Sequence, residues 1–235
     1  MSNPTDRRSW SRRQWMRWAT GAGAAAVTMW RVPALAQGTT PPPVPKELTP
    51  DAALDLLAKG NQRFVDGKTL APNRNMARLK EVAPKQAPFA AFLGCADSRV
   101  PIEIVFDQGF GDVFVTRIAG NVADPAIIGS LEFGCLVLGA KVLYVLGHSS
   151  CGAVAATLKG DAVPGQISTL YQHIRPAVKV SQGNLDTAIR ENVKHQASVL
   201  AEASPVLAGL LKAGKLRVAG GVYDLQSGKV TPVAL

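Results

Sequence analysis

Two short stretches of this 235-residue chain carry side chains that together could hold a metal and use it. Cys95-Ala96-Asp97-Ser98-Arg99 follows the apolar run 89–94, and His148-Ser149-Ser150-Cys151-Gly152 follows the apolar run 142–147. Cys95 and Asp97 are two apart, so extended backbone turns both to one side. His148 and Cys151 are three apart, a spacing that a strand-to-helix turn folds onto one point. Two thiolates, an imidazole and a carboxylate make a tetrahedral set suited to Zn²⁺, whereas Mg²⁺ and Ca²⁺ prefer oxygen alone. Taken singly, a cysteine at a strand end is an ordinary buried hydrophobe, and a lone histidine is more often a core residue. The joint pattern differs because the chain has only three cysteines and two of them stand beside His and Asp. The third, Cys135 in Leu131-Glu-Phe-Gly-Cys-Leu-Val-Leu138, is expected to be a core thiol.

Arg99 poses the choice between two kinds of zinc site. If Cys95, Asp97, His148 and Cys151 all ligate permanently, the metal is structural and the chain is a zinc-stabilised binding module. If Arg99 takes the Asp97 carboxylate in a bidentate grip, three ligands remain and the fourth place is open. Water there would ionise near neutral pH and supply hydroxide, with Asp97 accepting a hydrogen bond from it. A surface salt bridge between Arg99 and Asp97 with no further role would contribute only about 0–1 kcal/mol.

The elements that must position these residues follow from periodicity and punctuation. Runs 89–94, 113–117 and 142–147 read as strands, and 216–225 and 229–233 as a closing hairpin around Gln226-Ser227-Gly228. Helices are expected over 50–66, after the Thr49-Pro50 cap, over 125–138, and from Cys151 to the stop at Gly160-Asp161. One or two more are expected over 185–213, divided near Ser204-Pro205. Strands alternating with helices predict an α/β fold, a mostly parallel sheet with an antiparallel edge strand, flanked by helices. Sites in such sheets lie at the carboxyl ends of strands, where both clusters fall.

Composition, at 47% apolar and 18% charged, excludes a wholly disordered chain and a disulfide-dense miniprotein. The net charge of +9 suggests nucleic acid until it is placed along the chain. Residues 1–36 hold six of the 26 basic residues (Arg7, Arg8, Arg12, Arg13, Arg17, Arg31), one of the 17 acids and all four tryptophans. The other 199 residues carry only +4, so no nucleic-acid partner is expected. The leader itself reads as an export signal: Ser11-Arg12-Arg13 resembles a twin-arginine motif, a short apolar stretch follows, and Ala34-Leu35-Ala36 ends it. That stretch is short of the roughly 20 residues needed to span a bilayer. The expected organisation is signal 1–36, proline-rich linker 37–47 and one domain 48–235, exported to the periplasm or beyond and free of the membrane after cleavage.

Cys95-Ala-Asp-Ser-Arg-Val-Pro101 and Gly147-His-Ser-Ser-Cys-Gly-Ala-Val154 resemble the β-class carbonic anhydrases. The likeness continues through Gly111-Asp-Val-Phe-Val-Thr-Arg117, Ser130-Leu-Glu-Phe-Gly134, Glu191-Asn-Val193 and Tyr223-Asp-Leu-Gln-Ser-Gly228, covering about 48–234. It implies zinc on Cys95, His148 and Cys151, an Asp97–Arg99 dyad, and Gln86 as a substrate-binding glutamine. The implied reaction is reversible hydration of CO₂ to bicarbonate and a proton. The implied assembly is a homodimer or higher homo-oligomer, with N-terminal helices embracing the neighbour. One branch of that family has a regulatory bicarbonate pocket lined by Trp and Tyr at positions that here hold Phe92 and Phe133, although Arg117 and Val100 match. Those polar handles are missing, so a site open at neutral pH is expected.

Three other readings stand beside this one. Hydrolysis of COS or CS₂ would use the same residue types, and the non-catalytic zinc module has been described above. Gly147-His148-Ser149-Ser150-Cys151 also approaches the G-x-S-x-G nucleophile elbow, with Asp186 and His195 following in triad order. Its fifth position is Cys where close packing wants glycine, and it leaves Cys95, Asp97 and Arg99 without a task. His173 and His195 are proton-shuttle candidates by residue type alone.

Overall fold

A computed structural model describes residues 48–235; the expected export signal (1–36) and linker (37–47) lie outside the described residues. Five strands form one sheet: β1 (Ala90–Gly94), β2 (Val113–Arg117), β3 (Val142–His148), β4 (Arg217–Tyr223) and β5 (Val230–Val233). Their order is β2-β1-β3-β4-β5, parallel except for the antiparallel β4–β5 pair, as the alternation of elements predicts. The chain passes from β1 to β2 on one side and then crosses to β3 on the other. A crevice therefore opens above the carboxyl ends of β1 and β3.

Side chains alternate across the central strands and give the sheet two cores. Ala90 and Phe92 of β1 and Tyr144 of β3 face one side, where helix α1 (Pro50–Val65) packs. There Phe92, Phe106 and Tyr144 form an aromatic cluster with ring centroids 5.1–5.6 Å apart. Ala91, Leu93, Leu143 and Val145 face the other side, against α7 (Leu185–Ala203) and α8 (Pro205–Lys212). Full burial of a side chain the size of Leu143 stabilises by about 2–3 kcal/mol relative to exposure. Cys135 lies in this second core, and burial pushes its thiol up to about 12, as expected of an inert residue.

Local chemistry accounts for the ends of these elements. Thr49 caps α1 by accepting from the Ala52 N–H (3.2 Å), with Pro50 at the first helical position. Asp124 does the same at Ile127 (2.8 Å) for α4 (Pro125–Glu132), which runs on into a wider turn at Phe133–Val137. α5 (Gly152–Lys159) stops at Gly160, whose φ of +72° suits glycine. Buried Asn61 stitches α1 to the closing hairpin, donating to Val105 O and Gly228 O and accepting from Val230 N–H.

Three helices lack a counterpart in the periodicity reading: α2 (Met76–Val82), α3 (Ile102–Val105) and α6 (Ser168–Val180). α2 and α3 are too short to repeat a pattern. α6 contains Pro176, which removes one helical hydrogen bond and masks the spacing of its buried face, Tyr171, Ile174 and Ala177. Among the described residues no helix is long and apolar enough to cross a membrane.

Candidate active site

The register of the sheet brings the two clusters together. Gly94 pairs with Leu146, so Cys95 and His148 leave their strands at neighbouring levels. Ser150, between His148 and Cys151, has φ +55°, a left-handed turn that redirects the chain and makes Cys151 the N-cap of α5. Donor atoms of Cys95, His148 and Cys151 all lie within 4.8 Å of one another, and all three residues are buried.

Each ligand is supported by its surroundings. The Cys95 sulfur accepts from the Gly120 N–H (3.3 Å), and the Cys151 sulfur lies over the Ala153 and Val154 N–H groups at the start of α5. His148 is fully buried; its Nδ1 is 2.9 Å from Ser149 O, which fixes it as the donor and turns the Nε2 lone pair inward. Among the described residues that Nε2 atom has no hydrogen-bond partner. A hydrogen bond from Cys151 holds Cys95 well below the ordinary thiol range, and the same bond, with burial, pushes Cys151 up. Two buried sulfurs beside a buried imidazole nitrogen with no partner among the described residues make a donor set that fits a thiophilic dication, and Zn²⁺ matches it.

Asp97 stands beside this group rather than within it. Its Oδ1 accepts from the Arg99 backbone N–H (2.9 Å) and Nε (2.9 Å), and its Oδ2 from a terminal nitrogen of Arg99 (2.7 Å). Those bonds hold the carboxyl far below the usual carboxylate range, and Asp97 in turn raises Arg99. Oδ2 lies 3.8 Å from His148 Nε2 and keeps a lone pair that Arg99 does not use. Of the two arrangements open to Arg99, the structure has the one in which it grips Asp97, and Asp97 is not the fourth member of the ligand group.

Other expected residues fall elsewhere. Gln86 is exposed on the connection before the amino end of β1, whereas Cys95 follows the carboxyl end; the fold does not bring Gln86 to the cluster within one chain. Phe92 is packed in the first core, while Phe133, about half exposed, lies against Phe114 on the opposite face of the sheet. The Ser149 hydroxyl accepts from Leu225 N–H (2.9 Å), and among the described residues no hydrogen bond joins it to His195 or Asp186. The nucleophile-elbow reading has no assembled triad here.

The fold also supplies groups that motif reading did not assign. Asn192 donates to Gly120 O (2.9 Å), and Gln196 accepts from Ala123 N–H (2.9 Å) while donating to His173 O (2.9 Å). This buried ladder on α7 fixes the segment whose Gly120 N–H supports Cys95. Asn192 and Gln196 are four apart on a helix, a polar pair in an apolar pattern, and that was the available signal.

The family model described as carbonic anhydrase matches residues 90–230 of the chain. A carbonic anhydrase of Mycolicibacterium smegmatis is 38% identical over 189 residues, covering 77% of this chain and 92% of the relative. Carbonic anhydrase 2 of Mycobacterium tuberculosis is 36% identical, covering 77% and 91%. Among solved structures, a Coccomyxa β-carbonic anhydrase in complex with acetazolamide superposes with a TM-score of 0.60 at 28% identity, covering 77% of this chain and 86% of that one. The matched region takes in strands β1 to β4 and both turns that bear the ligands, and the chain belongs to the β-class carbonic anhydrase family.

Proposed function

We propose that the protein catalyses the reversible hydration of CO₂ to bicarbonate and a proton. The observation that carries this reading is the Cys95–His148–Cys151 group with an Arg99-held Asp97 carboxylate beside it. Cys95 Sγ, Cys151 Sγ and His148 Nε2 would hold Zn²⁺, which when bound supplies the Lewis acidity that lets water act as a nucleophile at neutral pH. Asp97 stays ionised throughout the neutral range and can only accept hydrogen bonds, so the free lone pair on Oδ2 orients the nucleophile's remaining O–H. Val122, Val154 and Ile189 pack with the two cysteines in one buried apolar cluster, which keeps the ligands in a setting of low polarity.

Zinc content and stopped-flow CO₂ hydration test the reading together. The expected result is about one zinc per chain with activity, both lost in Cys151→Ser, because a hydroxyl is a far poorer ligand than a thiolate. A metal-free wild type that still hydrates CO₂ would overturn it. Turnover of COS or CS₂ without CO₂ hydration would move the assignment to the sulfur analogues.

Assembly and export belong to the same proposal. β2 is an edge strand, and Phe133, Leu136 and Val137 near it are 47–63% exposed, an apolar face suited to a second copy. Gln86 then serves a neighbour's site, since its own lies beyond the far end of β1. A fully active monomer in sedimentation velocity at micromolar concentration would refute both statements. Ser11-Arg12-Arg13 and Ala34-Leu35-Ala36 support twin-arginine export to the periplasm. Changing Arg12 and Arg13 to Lys should strand the precursor in the cytoplasm; unchanged export would exclude that route.

A further inference from the structure

The residue that governs the Asp97–Arg99 pair from outside it is Arg117. It is the last residue of β2, in register with Gly94, and its guanidinium turns back over the carboxyl end of β1. Nε donates to Cys95 O (2.8 Å), and a terminal nitrogen donates to Asp97 O. Asp97 is thus gripped twice, on its carboxylate by Arg99 and on its carbonyl by Arg117. The two carbonyls held by Arg117 belong to the Cys95–Ala96 and Asp97–Ser98 peptides, so holding both fixes the plane that follows each of those residues. Those planes set the direction of the Cα–Cβ bond of Asp97 and the position of the Cys95 carbonyl relative to its sulfur. A planar fork can make two such bonds at a fixed separation, whereas an ammonium makes a single point contact.

From this geometry we infer that Arg117 is a positioning residue for the reaction: it aims the Asp97 carboxylate without touching substrate or metal. The inference rests on the carbonic anhydrase reading. A side chain that merely decorated the surface would need neither the paired donors nor the two carbonyls. With Arg117 truncated, the turn keeps its Val100 N–H bond to Asp97 O (3.0 Å) but loses the clamp on Cys95 O, and the carboxylate is free to turn toward the cluster.

The test compares wild type, Arg117→Ala, Arg117→Lys and Arg99→Ala as zinc enzymes and as cobalt-substituted proteins, whose visible spectrum reports the ligand set. Arg117→Ala should keep about one metal per chain, lose tenfold or more in kcat with KM within about twofold, and shift the cobalt spectrum in the same direction as Arg99→Ala. Arg117→Lys should recover part of the turnover and part of the spectrum. Turnover of Arg117→Ala within twofold of wild type overturns the inference. So does a loss of activity with an unchanged cobalt spectrum, which would leave Arg117 a structural role only. If Arg117→Ala does not fold, Arg117→Lys decides alone, and a wild-type spectrum and turnover there count against the clamp. Failure of the wild-type enzyme to hydrate CO₂ in the same assay would instead count against the carbonic anhydrase reading.

Discussion

Gly94, the residue before Cys95, offers a quantitative test of how tightly the fold holds the first ligand. A Cβ added there would stand 2.5 Å from Ile102 Cδ1 and 3.6 Å from Ile102 Cγ1. Carbon atoms in contact prefer about 3.5–4.0 Å, so only the Cδ1 contact is short, by roughly 1 Å. Ile102 is fully buried in the first core, so its methyl group can move only against packed neighbours. Overpacking of this kind costs about 2 kcal/mol, from which about 0.7 kcal/mol is recovered because alanine restricts the unfolded chain. Gly94→Ala alone should therefore lose about 1.3 kcal/mol. Ile102→Val deletes the Cδ1 atom in question and alone loses about 1 kcal/mol. In the double variant the clash has gone and the alanine gain remains, so the net loss should be about 0.3 kcal/mol, a coupling of about 2 kcal/mol. Urea denaturation of the four proteins at one fixed zinc concentration measures this directly. CO₂ hydration should fall in Gly94→Ala, where Cys95 is displaced, and return in the double variant. Additive losses, with no coupling beyond about 0.5 kcal/mol, would show that the Ile102 contact does not set the position of Cys95.

Three further outcomes are expected. Arg99→Ala should retain zinc, because no ligand is touched, yet lose about a hundredfold or more in turnover, with Arg99→Lys recovering only part; near-normal turnover would refute the dyad. Asp107 is fully buried at φ +49° and accepts from Arg63 Nε (2.7 Å) and from the Leu70 and Ala71 N–H groups (3.0 and 2.9 Å), so Asp107→Ala should lose about 3 kcal/mol by denaturation, and Asp107→Asn less; an Asp107→Ala change under about 0.5 kcal/mol would refute this account of the 66–75 loop. Burial, and then the nearby His173, lower the pKa of His195 below the ordinary histidine value, with Glu202 opposing. The folded state then binds fewer protons there than the unfolded chain, so this contribution is present above about pH 6.5 and is lost as pH falls. His195→Gln should flatten the decline in stability between pH 7 and 5, and parallel curves would count against it.

The ligand residues were legible because their chemistry is rare and their positions are punctuated. Cys95 and His148 each follow an apolar run that can only be a buried strand, and Gly152 to Gly160 marks a helix with Cys151 at its head. Arg99 was legible too, since a guanidinium two residues from a carboxylate needs no long-range fold to reach it. Arg117 was not, because its partners are carbonyl oxygens that every residue possesses, and only the pairing of β2 with β1 selects Cys95 O and Asp97 O. Gln86 rests on the resemblance alone: it precedes β1 whereas Cys95 follows it, so a contact with a ligand cluster requires a second copy of the chain, which one sequence does not display. α6 escaped because Pro176 breaks the local rule while Tyr171, Ile174 and Ala177 hold the helix in place from the core side.

The crossing between β1 and β3 has a consequence for how the molecule holds together. Cys95 and Cys151 enclose 55 residues of intervening chain, including all of β2 and α4, so an ion gripping both closes that loop as a cross-link would. The ligand set exists only once β1 and β3 have paired, and an ion that favours the assembled state over the open chain stabilises it by mass action. Chelation should thus loosen the sheet as well as silence the site, and the melting temperature should track metal concentration even in a variant, such as Arg99→Ala, whose catalysis has already been removed.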